Sequence, residues 1–390
     1  MTEQHGTGER DGTREHDDTG GHRDTGEQHG AREHLRTRFD GMALYDPQHV
    51  RDALAPLLDR PGPFTPGDLE PYDQMHYLGH RALDNAVARL GAAPGADVVD
   101  IGAGLGGPAR YLADRYKCRV TAVELQPELH RLSEELTALC GLSDRVRAVR
   151  ADALTLGGAD WAQRYDHLIS LLAVLHIPRR AELFAVFREL LRPDGTFHIE
   201  DFYARRPLTG AERADLAGLV ACPYLPDETR YRDDLTRAGF TDVTWTDATD
   251  LWRPWVRDRA EVFRDTYEDR VRLHGEPLAA RLLRFYDTIS TLFTGGGVGG
   301  VRVTGRRRSW PTRSAGKGNP PPNGHRVAGA GEGTFRSSGT DAPRPPDPPP
   351  PGVRLTYWLF MLSSIRHRTP VVRPGAAEGS SLAVREASLS

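Results

Sequence analysis

The sequence predicts an α/β protein built on a doubly wound, mostly parallel sheet. Two observations support this prediction: short apolar runs alternate with segments of helical periodicity, and the first such run leads directly into a glycine-rich loop. That run is residues 98–101, and the loop holds Gly102, Gly104, Gly106 and Gly107. A strand, a tight loop and a helix start in this order expose backbone N–H groups to a bound nucleotide.

Strand and helix patterns continue to alternate after the loop. A second apolar run has Glu124 near its end, a third stops just before Asp152, and Pro193-Asp194-Gly195 turns the chain from a helix into a further strand. Strands separated by crossover helices specify a parallel sheet. We expect strands at about residues 98–101, 119–125, 146–149, 165–175, 196–201 and 243–246, and a long helix at about 257–293.

The two ends of the chain and one internal segment depart from this pattern. Residues 1–38 contain almost no apolar side chains and are predicted to be a disordered tail. Residues 301–352 are rich in Pro, Gly and Arg and are predicted to be a disordered insertion. We further expect a helical lid segment at 39–80, the main domain at 81–300, its final strand at 353–366 and a tail at 367–390.

A short repeat flanks the predicted insertion. Gly-Val-Arg-Val-Thr at residues 300–304 returns as Gly-Val-Arg-Leu-Thr at residues 352–356. We interpret the segment between them as an interruption of one structural element, or as an untranslated segment carried into the sequence. A Pro-rich ligand and a basic nucleic-acid arm are less favoured functional interpretations.

The composition restricts the protein's class. A net charge of −3 gives no global argument for a nucleic-acid partner. The three cysteines are widely spaced, which argues against a disulfide framework and against a structural zinc site, so no metal is expected. No apolar run is long enough for a membrane helix, and the N-terminus carries no apolar signal core. We therefore expect a cytoplasmic protein without a membrane span, and its oligomeric state stays open.

Acidic side chains stand at the expected carboxyl ends of four strands. They are Asp100, Glu124, Asp152 and Asp201, and His176 follows the remaining strand. Ligands of open α/β sheets bind beyond the carboxyl ends of the strands, so these side chains are expected at the site. A fold alone does not require four acids there.

The order of these groups resembles the class I S-adenosylmethionine-dependent methyltransferases, which have a Rossmann-like sheet. Their first motif places an acid two residues before the first glycine, as Asp100 stands before Gly102. The resemblance implies that Glu124 holds the ribose hydroxyls and that Asp152 receives the adenine amino group. The cofactor-binding residues that it implies are Asp100, Gly102, Gly104, Gly106, Glu124, Leu125, Asp152 and Ala153.

Physical chemistry favours S-adenosylmethionine over a dinucleotide at such a site. Gly102, Gly104 and Gly107 also satisfy the dinucleotide pattern G-x-G-x-x-G, so the glycines do not separate the two cofactors. A pyrophosphate needs hydrogen-bond donors and is repelled by carboxylates, whereas a sulfonium carries positive charge. One carboxylate can also accept hydrogen bonds from both hydroxyls of a ribose.

His176 is the candidate general base. Residues 173–177, Ala-Val-Leu-His-Ile, resemble the segment after the fourth strand in phosphoethanolamine and related small-amine N-methyltransferases, where a histidine faces the substrate. An imidazole titrates near neutrality and can accept a proton from an ammonium group. The alternative is a histidine that only orients its loop by hydrogen bonds.

Several tyrosines are candidates for the substrate side of the site. Tyr72 and Tyr77 resemble the tyrosine-bearing lid of the amine methyltransferases, and we assign Tyr77 a catalytic role and Tyr72 a substrate-binding role. Asp201 and Tyr203 are expected to bind substrate, although Phe202 stands where that group has a tyrosine. An aromatic box for a methylated ammonium is an alternative use of Tyr203, Tyr224, Trp252 and Trp255, with ordinary packing favoured for most of them.

The sequence therefore predicts a methyltransferase that uses S-adenosylmethionine on a small molecule, with an amine nitrogen favoured as the acceptor. Sterol and tocopherol C-methyltransferases share the Gly-Gly-Pro-Ala-Arg stretch at residues 106–110, so an apolar acceptor is an alternative. A non-catalytic adenosyl-binding interaction protein is a second alternative and a dehydrogenase a third.

Overall fold

The computed structural model of the chain describes residue 39 and residues 42–309, which form a seven-stranded sheet with eleven α-helices. The predicted doubly wound α/β class is confirmed. The strands are β1 (Asp97–Ile101), β2 (Arg119–Glu124), β3 (Val146–Arg150), β4 (Tyr165–Leu171), β5 (Leu191–Ala204), β6 (Phe240–Asp247) and β7 (Val298–Arg307).

The helices surround the sheet and extend it at the N-terminal side. They are α1 (Pro47–Leu58), α2 (Pro66–Asp73), α3 (His80–Leu90), α4 (Gly107–Arg115), α5 (Pro127–Leu139), α6 (Arg180–Leu190), α7 (Gly210–Leu219), α8 (Glu228–Arg237), α9 (Thr249–Asp265), α10 (Tyr267–His274) and α11 (Glu276–Thr294). Short 3₁₀ turns cover Ala43–Tyr45, Ala153–Thr155 and Val174–His176.

The strand order is β3-β2-β1-β4-β5-β7-β6, and the first five strands in this order are parallel. The chain starts at β1 in the middle of the sheet, moves outward to β3, and crosses back to β4. This reversal creates a crevice at the carboxyl ends of β1 and β4, where open α/β sheets bind ligands.

Alternating residues of β1 explain how both sheet faces are covered. Val98 packs with α3 and α4 in one apolar cluster, whereas Val99 and Ile101 pack with α6 in another. Side chains of a strand alternate between the faces, so a central strand with helices on both sides must be apolar on both. The sequence run at residues 98–101 meets this requirement.

The N-terminal helices cover the crevice. Thr65 and Asp68 form a capping box that starts α2, and Leu69 of that helix is fully buried. Leu69 packs in a cluster with Leu105 of the glycine loop and Leu129 of α5. The segment before the sheet is therefore anchored on the same loop that begins the cofactor motif.

The expectation that an insertion begins at residue 301 is wrong for residues 301–309. Residues 298–307 form β7, which lies antiparallel between β5 and β6, and Val301 and Val303 are fully buried. The first copy of the repeated Gly-Val-Arg motif thus supplies the final strand that was expected at residues 353–366. The remainder of the predicted insertion, residues 353–366 and both predicted tails lie outside the described residues.

The predicted helix at 257–293 is three helices. It begins earlier, at Thr249, and breaks at Thr266 and at Gly275, whose φ of +79° lies in the region that favours glycine. The breaks let α9, α10 and α11 pack on one another as a layer beside the N-terminal segment. Among the residues that the structure describes, no helix is long and apolar enough to span a membrane, and no cluster of His, Cys, Asp or Glu has metal-site geometry.

The assignment of β7 predicts the effect of shortening one of its buried side chains. Val301→Ala should lower the free energy of unfolding by about 1 to 3 kcal/mol, because a fully buried side chain in a central strand is shortened. Denaturant unfolding of wild type and variant measures this, and an unchanged free energy of unfolding contradicts the assignment.

Candidate functional site

A cavity of about 990 Å³, including its open mouth, lies beyond the carboxyl ends of β1 and β2. Asp100, Glu124 and Asp152 all line it, together with Gly102 and Gly104 of the loop. The structure therefore brings together the three acids that follow the first three strands. Leu125 and Ala153, also predicted at the cofactor site, line the same cavity.

Asp100 is buried with part of its carboxyl group unpartnered. The residue is 1% exposed, and its Oδ2 atom has no hydrogen-bond partner. Burial, and after it the nearby charge of Glu124, raises the pKa of Asp100 to about 8. An unpartnered buried carboxylate is costly, so this atom is suited to a ligand that brings a cation or a hydrogen-bond donor.

Glu124 is held by backbone N–H groups. Its Oε2 accepts from Gly104 N at 2.9 Å and its Oε1 from Gln126 N at 2.8 Å. Burial raises the pKa of Glu124, and these hydrogen bonds oppose that shift. Each oxygen retains a lone pair, so the carboxylate is fixed in place with acceptor capacity for two adjacent hydroxyls.

Asp152 serves as a cap and as a lining residue. Its Oδ1 accepts from Leu154 N at 2.9 Å at the start of the 3₁₀ turn Ala153–Thr155. This fixes the side chain at the cavity wall. The remaining carboxylate oxygen is available to a donor such as an exocyclic amino group.

The loop glycines have different reasons for being glycine. Gly102 has a φ of +78°, and a Cβ there would lie 2.2 Å from the Cβ of Ala173. Gly106, predicted to bind cofactor, does not line the cavity: a Cβ there would lie 2.2 Å from Ser133 Oγ of α5. Gly106 thus permits close packing of the loop on a helix.

A second cavity of about 540 Å³ adjoins the first. The two are neighbours because four residues line both: Tyr45, Met75, Leu172 and His176. The rest of the second cavity is almost entirely aliphatic and aromatic, and Arg259 is the one charged residue that lines it in the described part of the chain. Those other lining residues are Met42, Leu44, Tyr77, Leu175, Phe202, Val220, Val256, Phe285, Tyr286 and Ile289.

His176 stands at the junction of the two cavities. Its Nδ1 lies 3.1 Å from the carbonyl oxygen of Ala221, which can only accept, so Nδ1 carries the proton. Its Nε2, 3.2 Å from Tyr45 Oη, therefore accepts from the tyrosine hydroxyl. Burial lowers the pKa of His176 to about 4, so the imidazole is neutral at physiological pH.

Tyr45 is the functional residue that the sequence analysis missed. It lines both cavities, and burial raises the pKa of its phenol, which stays protonated. It reaches His176 across 131 residues of chain from the 3₁₀ turn Ala43–Tyr45. Phe39 packs edge-on to the same imidazole, with the ring centroids 5.1 Å apart. An aromatic side chain in the predicted lid was the available signal, but it did not single out Tyr45.

The predicted tyrosines and Asp201 have mixed placements. Tyr77 lines the second cavity, but Tyr72, Asp201 and Tyr203 line neither cavity. Asp201 is buried between Arg180 and Tyr231, whose polar atoms lie 3.0 Å from its Oδ2.

The other two placements have equally plain causes. Tyr203 donates to Asp247 Oδ2 at 2.9 Å on the β6 side of the sheet. Tyr72 packs beside the N-terminal apolar cluster instead of facing a cavity. The two cavities therefore offer a substrate no contact with Tyr72, Asp201 or Tyr203.

The four residues of the alternative aromatic box do not converge. Tyr224 is 44% exposed at the surface, whereas Trp252 is fully buried with its ring centroid 5.0 Å from that of Tyr77. Trp252 also lies against Gly300, where a Cβ would come within 2.0 Å of its ring. The tryptophan packs in the core, in line with the ordinary packing that was favoured.

Residues 98–195 match the family described as a methyltransferase domain. Phosphoethanolamine N-methyltransferase 1 of Arabidopsis thaliana is 33% identical over 178 residues, covering 45% of this chain and 35% of that protein. Sterol 24-C-methyltransferase of Eremothecium gossypii is 28% identical over 181 residues, covering 45% of this chain and 46% of that protein. The chain spans about a third to two thirds of the length of the curated relatives it matches.

The fold has solved counterparts. Phosphoethanolamine N-methyltransferase 2 of Haemonchus contortus, solved with phosphomonomethylethanolamine and S-adenosylhomocysteine, aligns with a TM-score of 0.58 at 17% identity. The alignment covers 70% of this chain and 60% of that chain. Residues 98–195 thus match the methyltransferase domain family, and the chain shares the fold of a solved methyltransferase.

Proposed function

We propose that the protein is an S-adenosylmethionine-dependent methyltransferase that acts on a small molecule. One observation carries the proposal: three strand-end carboxylates line a cavity that meets a second, apolar cavity at a neutral histidine. The first cavity offers acceptors for a cationic nucleoside, and the second offers space for a methyl acceptor. Both occupants would then meet beside His176.

The residues of the first cavity fit S-adenosylmethionine. Glu124 would hold the ribose hydroxyls and Asp152 the adenine amino group, because each keeps acceptor capacity after its backbone hydrogen bonds. The unpartnered oxygen of Asp100 favours a ligand with positive charge. When bound, the cofactor supplies a methyl group already activated by a sulfonium.

Tyr45 and His176 would handle the acceptor's proton. The Nδ1 proton is committed to Ala221, so Nε2 is the only acceptor position of the ring. An acceptor hydroxyl or amine that replaces or joins the Tyr45 hydroxyl at Nε2 would be oriented by this hydrogen bond. Methyl transfer by displacement needs mainly this alignment and a water-poor pocket.

The lining of the second cavity supports a largely apolar acceptor. Aliphatic and aromatic side chains make up nearly all of it, and none of the described residues that line it carries a carboxylate. Burying the apolar surface of a ligand against such a lining favours binding, whereas a highly polar substrate finds few hydrogen-bond partners there. This favours the alternative of a lipophilic acceptor over the small amine that the sequence analysis preferred.

An amine nitrogen is the second candidate acceptor. The rings of Tyr77, Phe202, Phe285 and Tyr286 line the cavity and can attract a cation through their faces. The positive charge of Arg259 in the same lining opposes an ammonium group. A panel of lipophilic alcohols and amines with labelled cofactor separates the two candidates.

Two further functions are tested by the same experiment. A non-catalytic adenosyl-binding protein would bind S-adenosylmethionine and transfer no label to any acceptor. A dehydrogenase would bind NAD more tightly than S-adenosylmethionine. We also propose a cytoplasmic location, which the absence of disulfides among Cys118, Cys140 and Cys222 supports.

The junction predicts a separation between turnover and cofactor binding. His176→Ala should reduce methyl transfer about 100-fold or more, since it removes the group that accepts the acceptor's proton or orients it. Its dissociation constant for S-adenosylhomocysteine should change less than about threefold, because the three carboxylates remain. Steady-state assay and calorimetric titration measure the two quantities.

Tyr45→Phe provides the matched test of the hydroxyl. It keeps the ring that packs on His176 and removes only the donor, so we expect a smaller loss of turnover, about tenfold, with cofactor binding retained. Normal turnover in both His176→Ala and Tyr45→Phe would show that this pair has only a structural role.

The burial of Asp100 predicts a pH-dependent stability. Its folded-state pKa of about 8 exceeds the unfolded value, so the folded state without ligand holds a proton that the unfolded state releases. The contribution of Asp100 to the free energy of unfolding is fully present below about pH 4 and is lost as the pH rises toward about 8. Asp100→Asn has no ionisable group at this position, so the variant should not show this decrease.

The measurement is thermal unfolding without cofactor at about pH 5 and about pH 8. Asp100→Asn should gain at least about 1 kcal/mol relative to wild type between these values, or about 3 °C. Asp97→Asn, on the same strand, should show no such gain: burial raises the pKa of Asp97, but hydrogen bonds from Arg119 and Arg192 outweigh it and lower the pKa, so Asp97 is ionised in both the folded and the unfolded state over this pH range. A pH-independent difference for Asp100→Asn contradicts the account.

A further inference from the structure

We propose that the methyl acceptor carries an anionic group, such as a carboxylate or a phosphate ester, which Arg259 binds in the second cavity. The inference rests on the proposed function, because it assigns the acceptor to that cavity. It extends the apolar acceptor to an amphiphilic one, with its reacting atom near His176 and its anion at Arg259.

Arg259 is a cation with spare donors in an apolar chamber. It is half-buried in α9 and lines the second cavity but not the first, whereas His176 lines both. Its Nη2 donates to Tyr286 Oη at 3.3 Å, and its guanidinium lies 5.0 Å from the centroid of that ring. No carboxylate of the described residues forms an ion pair with Arg259. Most of the five N–H donors of its guanidinium group therefore do not bind a carboxylate.

Arg270 adds a second cation near the first. It is 8% exposed, its Nε has no hydrogen-bond partner, and its guanidinium lies 5.5 Å from the ring centroid of Phe263. Burial lowers the pKa of Arg270, and the positive charge of Arg259 contributes to the lowering. Two neighbouring guanidinium groups without a carboxylate ion pair among residues 42–309 create a local positive potential.

The neighbouring acidic and basic groups leave this charge uncompensated. Asp269 acts on Arg270 but is hydrogen-bonded to Arg272, and Asp52 accepts from His274 at 3.0 Å. His49 is neutral: burial, then the charges of His274, Arg270 and Arg259, lower its pKa to about 3. The region therefore has two cations with which no carboxylate of the described residues forms an ion pair.

A buried or half-buried charge without a counterion is costly, and a ligand anion would remove that cost. Guanidinium groups match carboxylates and phosphates by paired hydrogen bonds. The apolar wall between Arg259 and His176 then suits a hydrocarbon body. An amphiphile with a carboxylate or phosphate at one end meets all three requirements.

The test is calorimetric titration of the full chain, first saturated with S-adenosylhomocysteine, with decanoate, decyl phosphate and decan-1-ol. Decanoate or decyl phosphate should bind at least about tenfold more tightly than decan-1-ol, as expected for a charge-assisted pair. Arg259→Gln should abolish this preference and leave the affinity for decan-1-ol unchanged. Arg259→Lys should retain part of it. The relative affinity of the two anions identifies which one the site prefers.

Arg257→Gln is the matched control, because Arg257 is exposed on the same helix and paired with Asp258. It should bind all three probes as wild type does. Equal binding of decanoate, decyl phosphate and decan-1-ol by wild type, or an anion preference that survives Arg259→Gln, overturns the proposal. Failure of S-adenosylhomocysteine to bind wild type overturns the proposed function instead, so the two failures are distinguishable.

Discussion

The site depends on burying the carboxyl groups of Asp100 and Glu124 beside the half-buried Asp152 at one edge of a parallel sheet. Backbone N–H groups satisfy Glu124 and Asp152, but Asp100 keeps an oxygen without a partner at the end of β1. The Asp100 carboxyl is desolvated because strand pairing and the close approach of Gly102 to Ala173 fix its position. Such an arrangement is tuned to a cationic nucleoside and is unfavourable for a pyrophosphate.

The N-terminal segment lines the site as well as covering it. Tyr45 lies at the junction of the two cavities, and the helices that follow it pack on Leu105 of the glycine loop. The glycine loop, the N-terminal segment and His176 therefore pack together. A disturbance of the lid packing would change the environment of His176 without touching the sheet.

The sequence predicts a residue's position well where the local strand pattern determines it, and poorly where tertiary packing does. Asp100 and Glu124 lie at the carboxyl ends of their strands and Asp152 lies just beyond its own, so strand periodicity was enough to place all three at one cavity. Asp201 also lies on a strand, but β5 is 14 residues long and its alternation turns Asp201 toward Arg180 instead of the cavity. Tyr45 meets His176 only through tertiary packing, and the repeat at residues 300 and 352 contains no local feature that selects the copy forming β7.

The central claim is that the strand-end carboxylates select a cationic adenosyl ligand. Calorimetric titration of wild type and Glu124→Gln with S-adenosylmethionine and NAD tests it most directly. We predict that wild type binds S-adenosylmethionine at least about tenfold more tightly than NAD, and that Glu124→Gln weakens S-adenosylmethionine binding by about tenfold or more. Tighter binding of NAD by wild type, or an unchanged affinity for S-adenosylmethionine in Glu124→Gln, would contradict the claim.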